Sequence, residues 1–499
     1  MKDNGLLVQY FTANTTDSQN LWKKAAEEAA TLKKLGATAV WFPPATKGAQ
    51  GKDDMGYAPY DLYDLGEFDQ KGSVATRYGT KEEYIAAIKA MKAEGINVYA
   101  DIAVRQKLGA DKIEKVTAAE FNSKDLPQMI GNKKVVGALS KFTFPGRKTK
   151  YSRFKWNWTH FAGIDWQQEE FKRRVCALEG KDYDEANKEL SKYDYIIGCE
   201  VDFYNQEVYD ELMNWAQWYE KNTDVDGFRF QEVEAIPAWF VNDFVQAASS
   251  IPVVTRKKTD DGEPEYIDKD IFSVGDFWHW NVDYINGYIK ATDNRTSMFD
   301  VPLHFNFHDA SVADGAYDMS KLLSGSLMMS NPERAVTFVD NHESQVGGIL
   351  ESYVEDWFKP LAYAVIMLRQ QGYPCLYIGD YAGIPQVKVR SKKTVLNKIL
   401  KLRKKYAYGE QHDYFDHSDV VGWTREGDED HKDSGLAVVM SDGTGGTKRM
   451  YVGKQFAGAH FADVMGNAKY DIRIDDEGCG EFYVNRQGLS VWIKKDCKL

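Results

Sequence analysis

Short apolar runs, each followed by an amphipathic stretch, recur through the first four-fifths of this 499-residue chain. A repeated strand–helix unit requires that alternation. A buried parallel strand is apolar on both faces, whereas its crossover helix is apolar along one stripe. The runs expected to be strands are residues 6–11, 37–42, 96–100, 227–230, 272–277, 298–301, 335–339 and 374–378. Eight such strands fit one closed (β/α)8 barrel, an α/β fold. Between them, residues 17–34 place Leu21, Ala25, Ala29 and Leu32 on one helical face, and residues 81–94 do the same with Tyr84, Ile85, Ile88 and Met91. These helices read as the packing ring of the barrel.

Two stretches break the rhythm. Residues 106–205, which carry Trp156, Trp158 and Trp166, are too long for an ordinary connection and predict a subdomain inserted after the third strand. From about Ala407 the helical period stops, and alternating segments at 420–425, 435–440, 450–454 and 489–494 follow, separated by Gly-rich turns such as 442–446. That pattern predicts a C-terminal antiparallel β-sandwich. The expected division is barrel (first part) 1–105, inserted subdomain 106–205, barrel (second part) 206–406 and β-sandwich 407–499. A smaller excursion at 251–270, charged and containing Gly262 and Pro264, predicts an exposed loop before the fifth strand. It reads either as a solvated excursion or as a lid.

Charge narrows the partners. Acidic residues outnumber basic ones 75 to 63, and no Lys/Arg block offers a footprint for a phosphate backbone, so nucleic acid is excluded as a partner. No apolar run approaches the ~18 residues of a membrane span. The five cysteines are odd in number and lack metal-type spacing, so they are expected to be free thiols, with Cys479 and Cys497 the pair to check. Met1 to Gly5 lead into the first apolar run without a basic region or cleavage site. The chain is expected to be cytoplasmic, or secreted with its signal peptide absent from this sequence, and monomeric.

Specific motifs carry a resemblance. Gly56-Tyr57-Ala58-Pro59-Tyr60-Asp61-Leu62-Tyr63-Asp64-Leu65-Gly66-Glu67-Phe68, Phe144-Pro145-Gly146-Arg147, Phe299-Asp300-Val301-Pro302-Leu303-His304 and Gly422-Trp423-Thr424-Arg425-Glu426-Gly427 span nearly the whole chain. With them, the sequence resembles the bacterial liquefying α-amylases of glycoside hydrolase family 13. The resemblance implies a barrel, an insertion after the third strand, a C-terminal sandwich and retaining hydrolysis of α-1,4-glucosidic bonds. That chemistry needs a carboxylate nucleophile and a protonated carboxylic acid at strand ends.

The strand ends depart from the family pattern. The fourth-strand motif is Gly227-Phe228-Arg229-Phe230-Gln231, which puts an amide where the family carries its Asp nucleophile. Glu232 follows it and is expected to point away from the pocket, solvated or salt-bridged. Asp276 stands at the position of the family's Glu general acid, and Glu343 at that of a substrate-gripping Asp. Asp276, Glu343 and Glu232 are therefore the candidates for acid–base or nucleophilic roles. Tyr57, Asp101, Arg229 and His342 are the candidates for sugar binding.

In the third-strand motif, Arg105 and Gln106 replace an Asn and a His. Relatives use that Asn to bind calcium, together with acids in the segment that here contains Asp194 and Glu200. Calcium takes oxygen ligands only, so the Arg105 guanidinium is expected to replace the ion by bridging Asp194 or Glu200. No cofactor is expected. If calcium is retained, Asp194 and Glu200 are its ligands. Thr12-Ala13 stand where relatives carry Glu-Trp, and Ala235 where they carry His.

Three readings of function stay open. One is a pseudoenzyme that binds α-glucans such as starch or maltooligosaccharides with little ordinary amylase activity. A second is an active hydrolase or transglycosylase with an atypical residue set, in which Asp276 is the acid and Glu343 or Glu232 is recruited. The third is a natural or engineered barrel in which Glu232, Glu234, Asp276, Glu343 and Arg105 run a new acid–base reaction on another small molecule. A metal site on His279, His342 and Glu343 lacks any supporting ligand spacing.

Overall fold

A computed structural model describes residues 4–16, 18, 20–121, 129–167, 172–181, 197–250, 252–258 and 264–497. Eight parallel strands close into a barrel: Leu7–Gln9, Ala39–Phe42, Asn97–Ile102, Gly227–Phe230, Phe272–Gly275, Ser297–Phe299, Ala335–Phe338 and Tyr373–Tyr377. Each pairs with its neighbours in sequence order, and the first pairs with the last through Leu7 and Cys375. The strands match the eight apolar runs of the sequence.

Where boundaries differ, a local hydrogen bond explains the shift. The sixth strand ends at Phe299 because Asp300 caps the helix Val301–Val312, accepting from Leu303 N at 3.2 Å with Pro302 in the first turn. The first helix was expected from residue 17 but runs Leu21–Leu35, because Asn20 serves as its N-cap.

The insertion after the third strand is a six-stranded antiparallel sheet. Its spatial order is Gln106–Lys107, Cys199–Val201, Phe161–Gln167, Lys172–Leu178, Lys112–Phe121, Met129–Lys141. The excursion before the fifth strand is not a plain loop. Pro252–Lys258 and Pro264–Asp268 pair as an antiparallel hairpin, as the β-favouring Val253, Val254, Tyr266 and Ile267 allow, and its tip lies outside the described residues.

The C-terminal unit has a six-stranded antiparallel sheet and the two-stranded ribbon Gly446–Tyr451/Cys479–Val484. Val420, Val439, Met450, Phe461, Phe482 and Trp492 pack in one buried cluster there. All five cysteines are free, Cys479 and Cys497 included. Among the described residues no helix is long and apolar enough to cross a membrane.

Candidate functional site

Parallel register assembles the site. Asp101, Arg229 and Val274 align across the third, fourth and fifth strands. Side chains alternate along a strand, so Gln231, two residues past Arg229, and Asp276, two past Val274, share that inward face at the C-terminal end. Asp276 N donates to Phe230 O at 3.0 Å and Gln231 N to Ile102 O at 3.2 Å, which holds the strand ends level. The seventh strand contributes through a turn: Asn341 Oδ1 accepts from Glu343 N at 2.7 Å and Ser344 N at 2.8 Å. The turn brings His342 and Glu343 over the same end of the barrel.

Arg229 organises the centre. It is fully buried, and its Nη1 donates to both oxygens of Asp101 at 3.0 and 3.1 Å while Nη2 donates to Asp276. The same Nη2 lies 3.9 Å from Glu343 Oε2. Asp101 also accepts from Tyr57 Oη at 2.7 Å and Trp41 Nε1 at 3.0 Å, so a buried charge is paired and hydrogen-bonded throughout. The indole of Trp41 lies under the guanidinium, 4.9 Å from ring centre to Cζ. His342 stacks on Tyr57 at 5.1 Å and 14°, which covers one face of that tyrosine with protein.

Electrostatics separate the acids. Burial raises the Glu343 carboxyl well above the usual range, and the neighbouring Asp276 adds to the rise. His342 is held neutral by burial and by Arg229. Its Nδ1 faces Gln9 Nε2 at 3.0 Å. Asp276 Oδ1, His342 Nε2 and Glu234 Oε2 are buried polar atoms without a hydrogen-bond partner, a set of acceptor and donor positions suited to ligand hydroxyls. Burial, then Asp276, pushes Glu234 up to about 7.

Gln231 is 8% exposed at the end of the fourth strand, its amide 3.5 Å from Glu232 Oε1. Beyond it the strand geometry breaks: Glu232 is left-handed (φ 49°) and opens a 3-10 turn at Val233–Ala235. Its carboxylate is drawn to Arg105, which also donates from Nε to Glu200 Oε1 at 3.1 Å. Arg105 is buried between the two acids.

The described residues do not fit the calcium ion that the resemblance implies. A permanent cation, Arg105, already pairs with Glu200, and Asp194 lies outside the described residues. His279, His342 and Glu343 do not form a metal-type cluster among the described residues. Thr12 and Ala13 sit in a turn against the seventh-strand loop, with Ala13 N donating to Gln345 Oε1 at 3.2 Å.

Sequence reasoning passed over Trp41 and Gln9. Gln9 ends the first strand and is the register partner of Trp41, the penultimate residue of the second. The available signal was a polar Gln inside the run Leu6-Leu7-Val8-Gln9-Tyr10-Phe11.

Comparison with known proteins agrees with this architecture. The α-amylase catalytic-domain family model matches residues 22–426, and the α-amylase C-terminal model matches 436–493. An α-amylase of Geobacillus stearothermophilus is 45% identical over 99% of this chain and 87% of its own length, and one of Bacillus licheniformis 44% over 99% and 94%. A cytoplasmic α-amylase of Escherichia coli is 34% identical over 98% and 99%. The crystal structure of an Anoxybacillus α-amylase superposes with a TM-score of 0.63 at 15% identity, covering 100% of this chain and 99% of that one, a likeness of fold. With a family model across most of its length and relatives above 40% identity, the chain belongs to the α-amylase family of glycoside hydrolases.

Proposed function

We propose that the barrel mouth binds an α-1,4-glucan and has little or no ordinary amylase turnover. One observation carries this reading: the side chain at the end of the fourth strand is the amide of Gln231, beside an Arg229 already committed to Asp101 and Asp276. An amide cannot form the glycosyl ester on which retaining hydrolysis depends. The partnerless Asp276 Oδ1 and His342 Nε2 support recognition of hydroxyls in the same cleft. We read Arg105 as standing in for a calcium ion, tying the barrel to the inserted sheet through Glu200 and to the fourth-strand end through Glu232.

Calorimetry with millimolar maltoheptaose, run beside a reducing-sugar assay on soluble starch, tests the proposal. Binding heat without sugar release is expected. Starch hydrolysis at the rate of an ordinary amylase, or no heat at all, would overturn it.

The state of Glu343 favours a second reading, an active hydrolase or transglycosylase with an atypical residue set. A carboxyl kept protonated by burial and by Asp276 is a proton donor, which moves the acid role from Asp276 to Glu343. Turnover of an activated aryl maltoside, lost in Glu343→Gln, is the outcome that selects this reading.

A further inference from the structure

The loop leaving the fifth barrel strand carries Asp276 into the centre and then turns outward. Phe277 is buried and anchors it, and Trp278 packs on His304 at 5.6 Å and Phe305 at 5.8 Å. The next residues form an aromatic stack on the surface. His279 and Trp280 lie at 5.6 Å and 21°, and His279 meets Tyr284 at 4.6 Å. Trp280 is 71% exposed and Tyr284 45%.

The stack is fixed from below. His279 Nδ1 accepts from Asn281 N at 2.9 Å, and Asn281 in turn caps the helix Val282–Ala291 by accepting from Asp283 N at 2.9 Å. Phe277 meets the imidazole edge-on at 6.2 Å. An indole held parallel to an anchored imidazole has one face backed by protein and a broad apolar surface left to solvent. Placing that much aromatic surface in water is unfavourable unless a ligand covers it.

We propose that Trp280 is a stacking subsite for a glucosyl unit of the same α-glucan that enters the barrel mouth. The occupant follows from continuity: the platform lies four residues along the chain from Asp276, at the strand end that faces the cleft. A pyranose ring presents an apolar C–H face to an indole while its hydroxyls stay in water, which suits a rim position rather than a buried one. Because His279 pre-orders the indole, little side-chain freedom is lost on binding. Trp280 is thereby assigned the recognition of chain length. This inference rests on the α-glucan reading of the cleft.

The test is titration calorimetry of maltotriose and maltoheptaose against the full chain, Trp280→Ala and Trp280→Phe. Stacking of this kind is worth ~0.5–1.5 kcal/mol, so Trp280→Ala is expected to weaken maltoheptaose about 3- to 10-fold. Maltotriose affinity should stay unchanged, and Trp280→Phe should recover most of the loss. Equal maltoheptaose affinity in Trp280→Ala and the unaltered chain overturns the subsite and leaves the cleft reading standing. Equal loss for both sugars, not restored by Phe, also overturns it, because a rim platform cannot act on a ligand confined to the centre. If the unaltered chain binds neither sugar, both readings fail together. Binding at Trp280 of a protein or of a second copy of the chain would show as an association unaffected by maltoheptaose, and would overturn the subsite too.

Discussion

Replacing Glu234 with Gln should stabilise the protein above neutrality and leave it unchanged in acid. Glu234 sits on the turn after the fourth strand, half-buried, with one carboxylate oxygen shielded from water and without a partner. Burial and the nearby Asp276 lift its pKa from 4.5 to about 7. The sign follows from proton counting. Between about pH 4.5 and 7 the folded chain holds a proton that the unfolded chain has released, so stability falls as pH rises through that window, and the whole cost is present above it. A rise of ~2.5 units corresponds to a ceiling of ~3.4 kcal/mol. Partial exposure of the side chain screens this to roughly 1–2 kcal/mol. Gln keeps the shape and removes the charge. Guanidinium unfolding midpoints for both chains at pH 4.5 and pH 8.5 give the comparison, and the difference of differences cancels groups titrating independently elsewhere. A gain for Glu234→Gln at pH 8.5 that vanishes at pH 4.5 is expected. An equal effect at both pH values, or a loss at pH 8.5, refutes the reasoning.

Two further substitutions act on the strand ends. Gln231→Asp places a carboxylate at the end of the fourth strand and, on the proposed function, should raise turnover of an aryl maltoside at least ~10²-fold over the parent; it should stay well below an ordinary amylase, because a donor displaced by ~1 Å costs about a hundredfold. Unchanged turnover would mean that the fourth-strand position is not what limits hydrolysis. Arg105→Met leaves Glu200 and Glu232 facing each other without a cation, and a loss of ~3–5 kcal/mol is expected from denaturant midpoints. In the unaltered chain, EDTA should leave the melting temperature where it was. A drop on chelation, recovered with added calcium, would show that Arg105 does not replace the ion.

The barrel was legible in the sequence because its strands must be apolar on both faces, and no other common architecture repeats that run with an intervening helix eight times. The hairpin at Pro252–Lys258 and Pro264–Asp268 reads as a loop in the sequence. Its charged residues obscured a β-favouring pattern, and pairing between two short segments leaves little periodic signal. The positions of Asp101, Arg229, Gln231 and Asp276 were legible for a simple reason: each lies on or directly after a strand whose alternation fixes its face. Glu232 shows where that reasoning stops. A salt-bridged Glu232 is what the sequence leads one to expect, and its carboxylate does pair with Arg105; the alternation behind its direction does not apply, because the backbone has already left the strand with φ at 49°. Nothing local in the sequence encodes a partner supplied from another strand end.

A buried lysine held between two carboxylates, Asp340 after the seventh strand and Asp380 after the eighth, shows what the scaffold itself requires. Lys359 is fully buried, donating to Asp340 Oδ2 at 2.6 Å and to Asp380, while Ser344 Oγ holds the other Asp340 oxygen at 2.8 Å. These groups fix the turn that presents His342 and Glu343, and replacing any one would strand a buried charge. At the barrel mouth Asp276 and Glu343 face one another and Arg229, Gln231 reaches Glu232, and none of the three belongs to the hydrophobic core. Their chemistry can change while the register beneath them stays fixed, so the site varies independently of the fold that displays it.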